Sequence, residues 1–187
     1  RVEVDTGLTV PGSDLTTTEE EHHTVVRWVW KVLLADGTRA LTTAGHWSQA
    51  VEHLRAHNGI GNRMGDGRQV AVIAHLITGE IDQAHALVEA TASGEPWERA
   101  VTALLGALCR PNPTQVENMM AHYNALEWAP ATAVFHTRLG LTIRDVLGEQ
   151  DERAHQVWEH LAHLVLDTGN GYCARELATV APSSQRQ

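Results

Sequence analysis

Gly45 and Gly79 lie 34 residues apart, and the same interval separates Ala50 from Ala84, Leu105-Gly106 from Leu139-Gly140, and Pro96 from Pro130. Counted from starts at 31, 65, 99 and 133, the glycines occupy position 15, the alanines position 20, the Leu-Gly pairs positions 7 and 8, and the prolines position 32. A period shared by helix stops, small packing residues and helix starts implies repeated two-helix units, which bury their apolar faces only by stacking. The expected fold is all-α: antiparallel helical hairpins stacked as one domain over residues 18–180, after an arm at 1–17 and before a tail at 181–187. The alternative is an irregular helical bundle, in which the same glycines and prolines act merely as helix stops.

Local signals place the elements. Thr18 followed by Glu19, Glu20 and Glu21 predicts a capped helix start, with Glu21 completing a capping box and the carboxylates at the positive end of the helix dipole. That helix is expected to stop at Asp36-Gly37, with a short turn of helix from 38 to 44. Its apolar residues, from Val25 and Val26 through Val32, Leu33 and Leu34, cover nearly the whole circumference, so burial by neighbouring repeats or by another chain is expected. Trp28 and Trp30 point to different sides of it, so one of them meets something beyond its own hairpin; both are interface candidates, including for a homodimer through this helix. Trp47, Ala50, Val51 and Leu54 give the next amphipathic stripe. Residues 58–67 then supply four glycines in ten, which reads either as a flexible spacer or as a recognition loop. Further helices are predicted at 68–78, 82–92, 96–110, 114–126, 130–147 and 151–166, with a short capping helix at 172–180. Proline at a first helical position favours the starts at Pro96 and Pro130, and Thr114 with Glu117 reads as a second capping box.

The period and these positions resemble the tetratricopeptide repeat, over residues 38–166. The match departs from the family where position 11 is His75 or Cys109, where position 20 is Asn118 or Glu152, and where Gly148 falls one residue late. The resemblance implies a stack whose first helices line a concave groove, with no chemistry of its own. Groove positions carried over are Asp66, Gln69, Ile73 and Leu76 in the second repeat and Val134, Thr137, Leu141 and Arg144 in the fourth. The implied partner is a protein or peptide docked beside the glycine-rich loop, with Arg63 and Arg68 steering its acidic groups, and the chain serves alone or within a larger regulator or assembly.

Charge and chemistry narrow the classes further. A formal charge of -9 opposes phosphate backbones, so nucleic acid is not an expected partner. The longest nearly apolar stretch, 25–35, is too short to span a bilayer and carries Arg27 and Lys31, and no leader or anchor pattern is visible. Arg1 in place of an initiating methionine is compatible with a piece of a longer protein. Two cysteines make no disulfide framework, so a reduced, cytoplasmic chain is expected, with Cys109 as inert helix packing. Twelve histidines raise the alternative of a helical metal- or small-molecule-binding protein or enzyme. His53 and His57 form one i, i+4 pair, while His155, Glu159, His163 and Asp167 form a row at that spacing, in which two neighbours could clasp a metal. Both sets also read as solvated helix faces, neither H-E-x-x-H nor C-x-x-C occurs, and no cofactor is expected.

Overall fold

The computed structural model describes residues 2–3, 9–10 and 16–180. Among the described residues the fold is all-α apart from one two-residue ladder, in which β1 (Val2–Glu3) pairs antiparallel with β2 (Thr9–Val10). The rest of the arm predicted at 1–17, up to residue 15, and the tail at 181–187 lie outside the described residues. The chain divides into two compact units, Arg1–Ile60 and Gly61–Gln187, with the boundary inside the glycine-rich loop.

In the first unit, α1 (Glu19–Thr43) packs against α2 (Trp47–Ala56). The predicted capping box is present: Thr18 accepts from the Glu21 amide, and the Glu21 carboxylate accepts from the Thr18 amide. Bonds from the Thr17 hydroxyl and amide, joined by that from the Thr18 amide, hold the Glu21 carboxyl below its usual range. The expected stop at Asp36-Gly37 is corrected, since α1 runs through both residues without a break. Gly37 is there for proximity: a Cβ on it would lie 2.6 Å from His53 Nε2 on α2. Gly59 serves the same end, since its Cβ would meet Leu34 Cδ1 at 2.6 Å and Leu54 Cδ2 at 2.9 Å. The true turn glycine is Gly45, whose φ of 77° lies in the left-handed region.

The second unit holds α3 (Asp66–Ile77), α4 (Ile81–Glu89), α5 (Pro96–Cys109), α6 (Pro113–Asn124), α7 (Ala133–Leu147), α8 (Glu152–Thr168) and α9 (Gly171–Val180). A single 3-10 turn, Pro130–Thr132, leads into α7. Consecutive helices pair as α3 with α4, α5 with α6, and α7 with α8. Each next hairpin then sets its first helix on both helices before it: α5 touches α3 and α4, α7 touches α5 and α6, and α9 touches α7 and α8.

The larger of two buried apolar clusters among the described residues of this unit holds Val72, Leu105, Met119, Ile143 and Leu161, and the smaller joins Ala133, Leu164 and Cys173. Both cysteines are free and buried. Gly79 ends α3 at φ 79°, as its sequence position predicts. The second capping box is corrected: Asn112 is the N-cap of α6, its side chain accepting from the Gln115 amide, with Pro113 at the first helical position. Proline there needs no N–H and arrives with φ already set, so the start moves ahead of Thr114.

Candidate functional site

The glycine-rich loop is tied down where it enters the second unit. Met64 is fully buried, and its carbonyl accepts from the Gln69 side chain. Arg68, only 6 % exposed, aims its guanidinium inward and donates four hydrogen bonds to three neutral oxygens. The Leu87 carbonyl takes two, at 3.2 and 2.7 Å, Thr91 Oγ1 takes one at 2.8 Å, and the Gly61 carbonyl takes one at 2.6 Å. Asn62 adds a backbone bond, its carbonyl accepting from the Ala92 amide at 2.8 Å.

Arg63 is the outer half of the same clasp. Its Nε donates to both carboxylate oxygens of Glu98 at 3.1 Å, Nη2 also contacts Oε2, and Glu95 lies 3.8 Å away. Arg63 accordingly holds the Glu98 carboxyl below the usual carboxylate range, with the Glu95 amide helping. Both arginines assigned to a partner's acidic groups are thus engaged by this chain's own acceptors. A fork with five fixed donors suits a backbone strap of this kind better than a single ammonium would.

The groove positions fare differently from one another. Asp66 is exposed, whereas Gln69, Ile73 and Leu76 are half-buried, and the two apolar ones pack on the core by one flank. In the fourth repeat Thr137 and Arg144 are buried. Arg144 donates to the Val180 carbonyl of α9 at 3.2 Å and lies over the Trp158 ring of α8. Arg138 pairs with Glu176 and touches the Tyr172 hydroxyl, fastening α9 across α7.

The accessible apolar hollow lies elsewhere, at the N-terminal ends of α5 and α7. It measures about 470 Å³ and is lined by Pro96, Trp97, Leu126, Glu127, Phe135 and His136, among others. Trp97 and Phe135 meet edge to face, with centroids 6.3 Å apart. Behind this lining, Trp128 is sandwiched between His136, at 4.1 Å, and His160, at 3.9 Å, with the Tyr123 ring edge-on at 5.7 Å. His136 is 2 % exposed, and its Nδ1 has no hydrogen-bond partner among the described residues. Sequence reading missed this cluster because its members come from α6, α7, α8 and the connection between α6 and α7, and share no local spacing.

Burial, reinforced by the neighbouring His160, pushes the His136 pKa down, while the Glu127 carbonyl accepting from the ring opposes the shift. Burial and His163 lower His160 as well. A histidine depressed in the folded state binds fewer protons than its unfolded counterpart, so its contribution to stability falls as pH drops from about 6.5 through the folded pKa. The protein is expected to melt at a lower temperature at pH 5 than at pH 8. Replacing His136 by Asn should flatten that slope in thermal scans across the range, and an unchanged slope would assign the acid sensitivity to other groups.

The remaining histidine candidates do not converge. The His53 and His57 rings stand edge to face at 4.7 Å, and His53 Nε2 lies 3.3 Å from the Leu33 carbonyl. His75 is buried with Nδ1 2.7 Å from the Glu80 carboxylate. His155 Nδ1 lies 3.2 Å from the Asp151 carbonyl, while Glu159 and His163 are exposed. Among the described residues no three His, Cys, Asp or Glu side chains come together as a metal site, and no helix is long and apolar enough to cross a membrane. The Trp30 indole N–H donates to the His57 carbonyl at 3.2 Å within its own hairpin, while Trp28 is 63 % exposed. No protein-family model, curated protein or solved structure matches the chain.

Proposed function

We propose that this chain is a non-catalytic protein-interaction module. The second unit acts as a short tetratricopeptide-like stack, and a partner segment is anchored in the hollow between Trp97 and Phe135. The carrying observation is the hollow itself: about 470 Å³, mostly apolar, with an exposed Trp97 on its wall. Such a volume accepts one large aliphatic or aromatic side chain with its flanking backbone, and aromatic-lined pockets are where interface energy concentrates. The stacked-hairpin reading is supported by the order of packing, in which each hairpin sets its first helix on the pair before it. Charge selects the flanks of the anchor. Glu127 is exposed on the lining and the chain carries a formal charge of -9, so the segment bears Lys or Arg next to its apolar residue.

Selection of displayed random peptides on the full chain tests this. The expected consensus is a Trp, Phe or Leu beside a basic residue, bound at least about tenfold more weakly by a Trp97→Glu variant, since that change places a carboxylate in the apolar wall. The helical circular dichroism of Trp97→Glu should match the parent, because the residue is 39 % exposed. Peptides that bind Trp97→Glu equally well, or no enriched consensus at all, would sink the assignment.

A further inference from the structure

A second hollow of the same unit is polar where the first is apolar. It measures about 250 Å³ and lies over α5, with α4 on one wall and α6 on the other. Thr102, Ala103 and Gly106 form its floor. Gly106 costs α5 helix propensity, and packing does not explain it: the atoms nearest to an added Cβ are Gln115 Oε1 at 3.2 Å and Val88 Cγ1 at 3.7 Å. Gly140, one period later, faces the buried Tyr123 and Leu161 at 3.0 Å or less. What the missing methyl group at Gly106 leaves is depth in the hollow.

The walls carry hydrogen-bonding capacity that the protein itself does not use. Gln115, Asn118 and His122 recur along α6 at spacings of three and four, and among the described residues none of their side chains has a hydrogen-bond or ionic partner. Arg99 on α5 donates from one nitrogen to the Gly94 carbonyl at 2.6 Å, and no carboxylate of the described residues pairs with it. Glu89 on α4 has His85 at 3.9 Å, beyond hydrogen-bond reach. Helix register orders these groups. The hairpin of α5 and α6 sets Gln115 against Gly106, and Arg99 and His122 each lie seven residues from that contact toward the same end, about 10 Å along the helices.

We propose that this hollow binds a small zwitterion of the α-amino-acid class, with its carboxylate at Arg99 and His122, its ammonium at Glu89, and its side chain directed along α5 toward Gly106. Charge makes the choice. An anion alone would meet the Glu89 carboxylate, a cation alone would meet Arg99, and a neutral polyol would leave both unanswered, whereas one molecule carrying both signs satisfies the two together. The Gln115 and Asn118 amides each offer a donor and an acceptor to the rest of the molecule. The volume lies below that of pockets for drug-sized ligands, as suits a free amino acid. The site shares no lining residue with the apolar hollow and does not depend on the partner read there.

Calorimetric titration of the full chain with each free L-amino acid in turn checks this. At least one is expected to bind with a Kd below about 1 mM, and its N-acetyl and carboxamide derivatives, each lacking one of the two charges, at least about tenfold more weakly. Arg99→Gln should weaken binding by a similar factor. Gly106→Ala separates binding from folding: it is expected to match or exceed the parent in urea denaturation and yet to bind about tenfold more weakly, because its methyl group fills the floor. No binding by any of the amino acids at about 10 mM, equal binding of either derivative, or affinity unchanged in Arg99→Gln or Gly106→Ala would each overturn the proposal.

Discussion

Replacing Arg68 by alanine is expected to lower the unfolding free energy by about 3–5 kcal/mol, a large share of what a domain this size possesses. Four bonds from one buried guanidinium disappear together, and the Gly61 carbonyl loses its donor. The Leu87 carbonyl keeps a bond from Thr91 Oγ1, so the cost is less than a simple sum of four. Lysine at this site keeps the charge without the fork, and should recover only a minor part of the loss. The measurement is urea denaturation followed by circular dichroism, with amide exchange at 61–65 as the local readout. Those amides should exchange faster in Arg68→Ala, because the strap has lost its inner anchor. A loss below about 1 kcal/mol would mean that water satisfies the exposed carbonyls and that the clasp holds nothing.

The second prediction compares two glycines that the 34-residue period makes equivalent, Gly106 and Gly140. Gly140→Ala is expected to destabilise by about 1–2 kcal/mol, and Gly106→Ala to stabilise by about 0.5–1 kcal/mol. Both lie inside helices, where alanine by itself is favoured by up to about 1 kcal/mol. At Gly140 the added Cβ would sit 2.8 Å from Tyr123 Oη and 3.0 Å from both δ carbons of Leu161. Tyr123 and Leu161 are themselves buried and cannot withdraw, so overpacking outweighs propensity. At Gly106 the nearest atom is Gln115 Oε1 at 3.2 Å, the end of a half-buried flexible side chain, followed by Val88 Cγ1 at 3.7 Å. That glutamine can rotate away. Single variants in parallel urea titrations check the pair, and effects of the same sign would refute the packing argument.

The acid sensitivity of the His136–Trp128–His160 stack should not be confused with that of the loop clasp. Glu98 titrates below the usual carboxylate range because Arg63 pairs with it, so its stabilisation is present above the unfolded carboxylate pKa and is lost as pH falls through the lower folded value. The histidine effect begins near pH 6.5 and the carboxylate effect only in stronger acid.

What the sequence by itself determined was the set of elements and most of their punctuation. The cap at Thr18, the starts at Pro96 and Pro130, and the left-handed stops at Gly45 and Gly79 are local events, decided by one side chain or one missing Cβ. The buried stripe of α2 follows from helical periodicity alone, with Ala50, Val51 and Leu54 all inside. Tertiary structure decided the rest. Gly37 looks like a stop but lies inside α1, because whether a helical glycine ends a helix or admits a neighbour depends on what stands opposite, and here that is His53. Arg63 and Arg68 look like free cations beside a loop, yet their acceptors lie far along the chain at Glu98, Leu87 and Thr91. Arg144, an implied groove position of the fourth repeat, is tied to α9, and the hollow at Trp97 and Phe135 is assembled from residues 38 positions apart in sequence. Caps and periodicity act within a turn or two of helix, whereas burial and ion pairing depend on distances set only when the hairpins pack together.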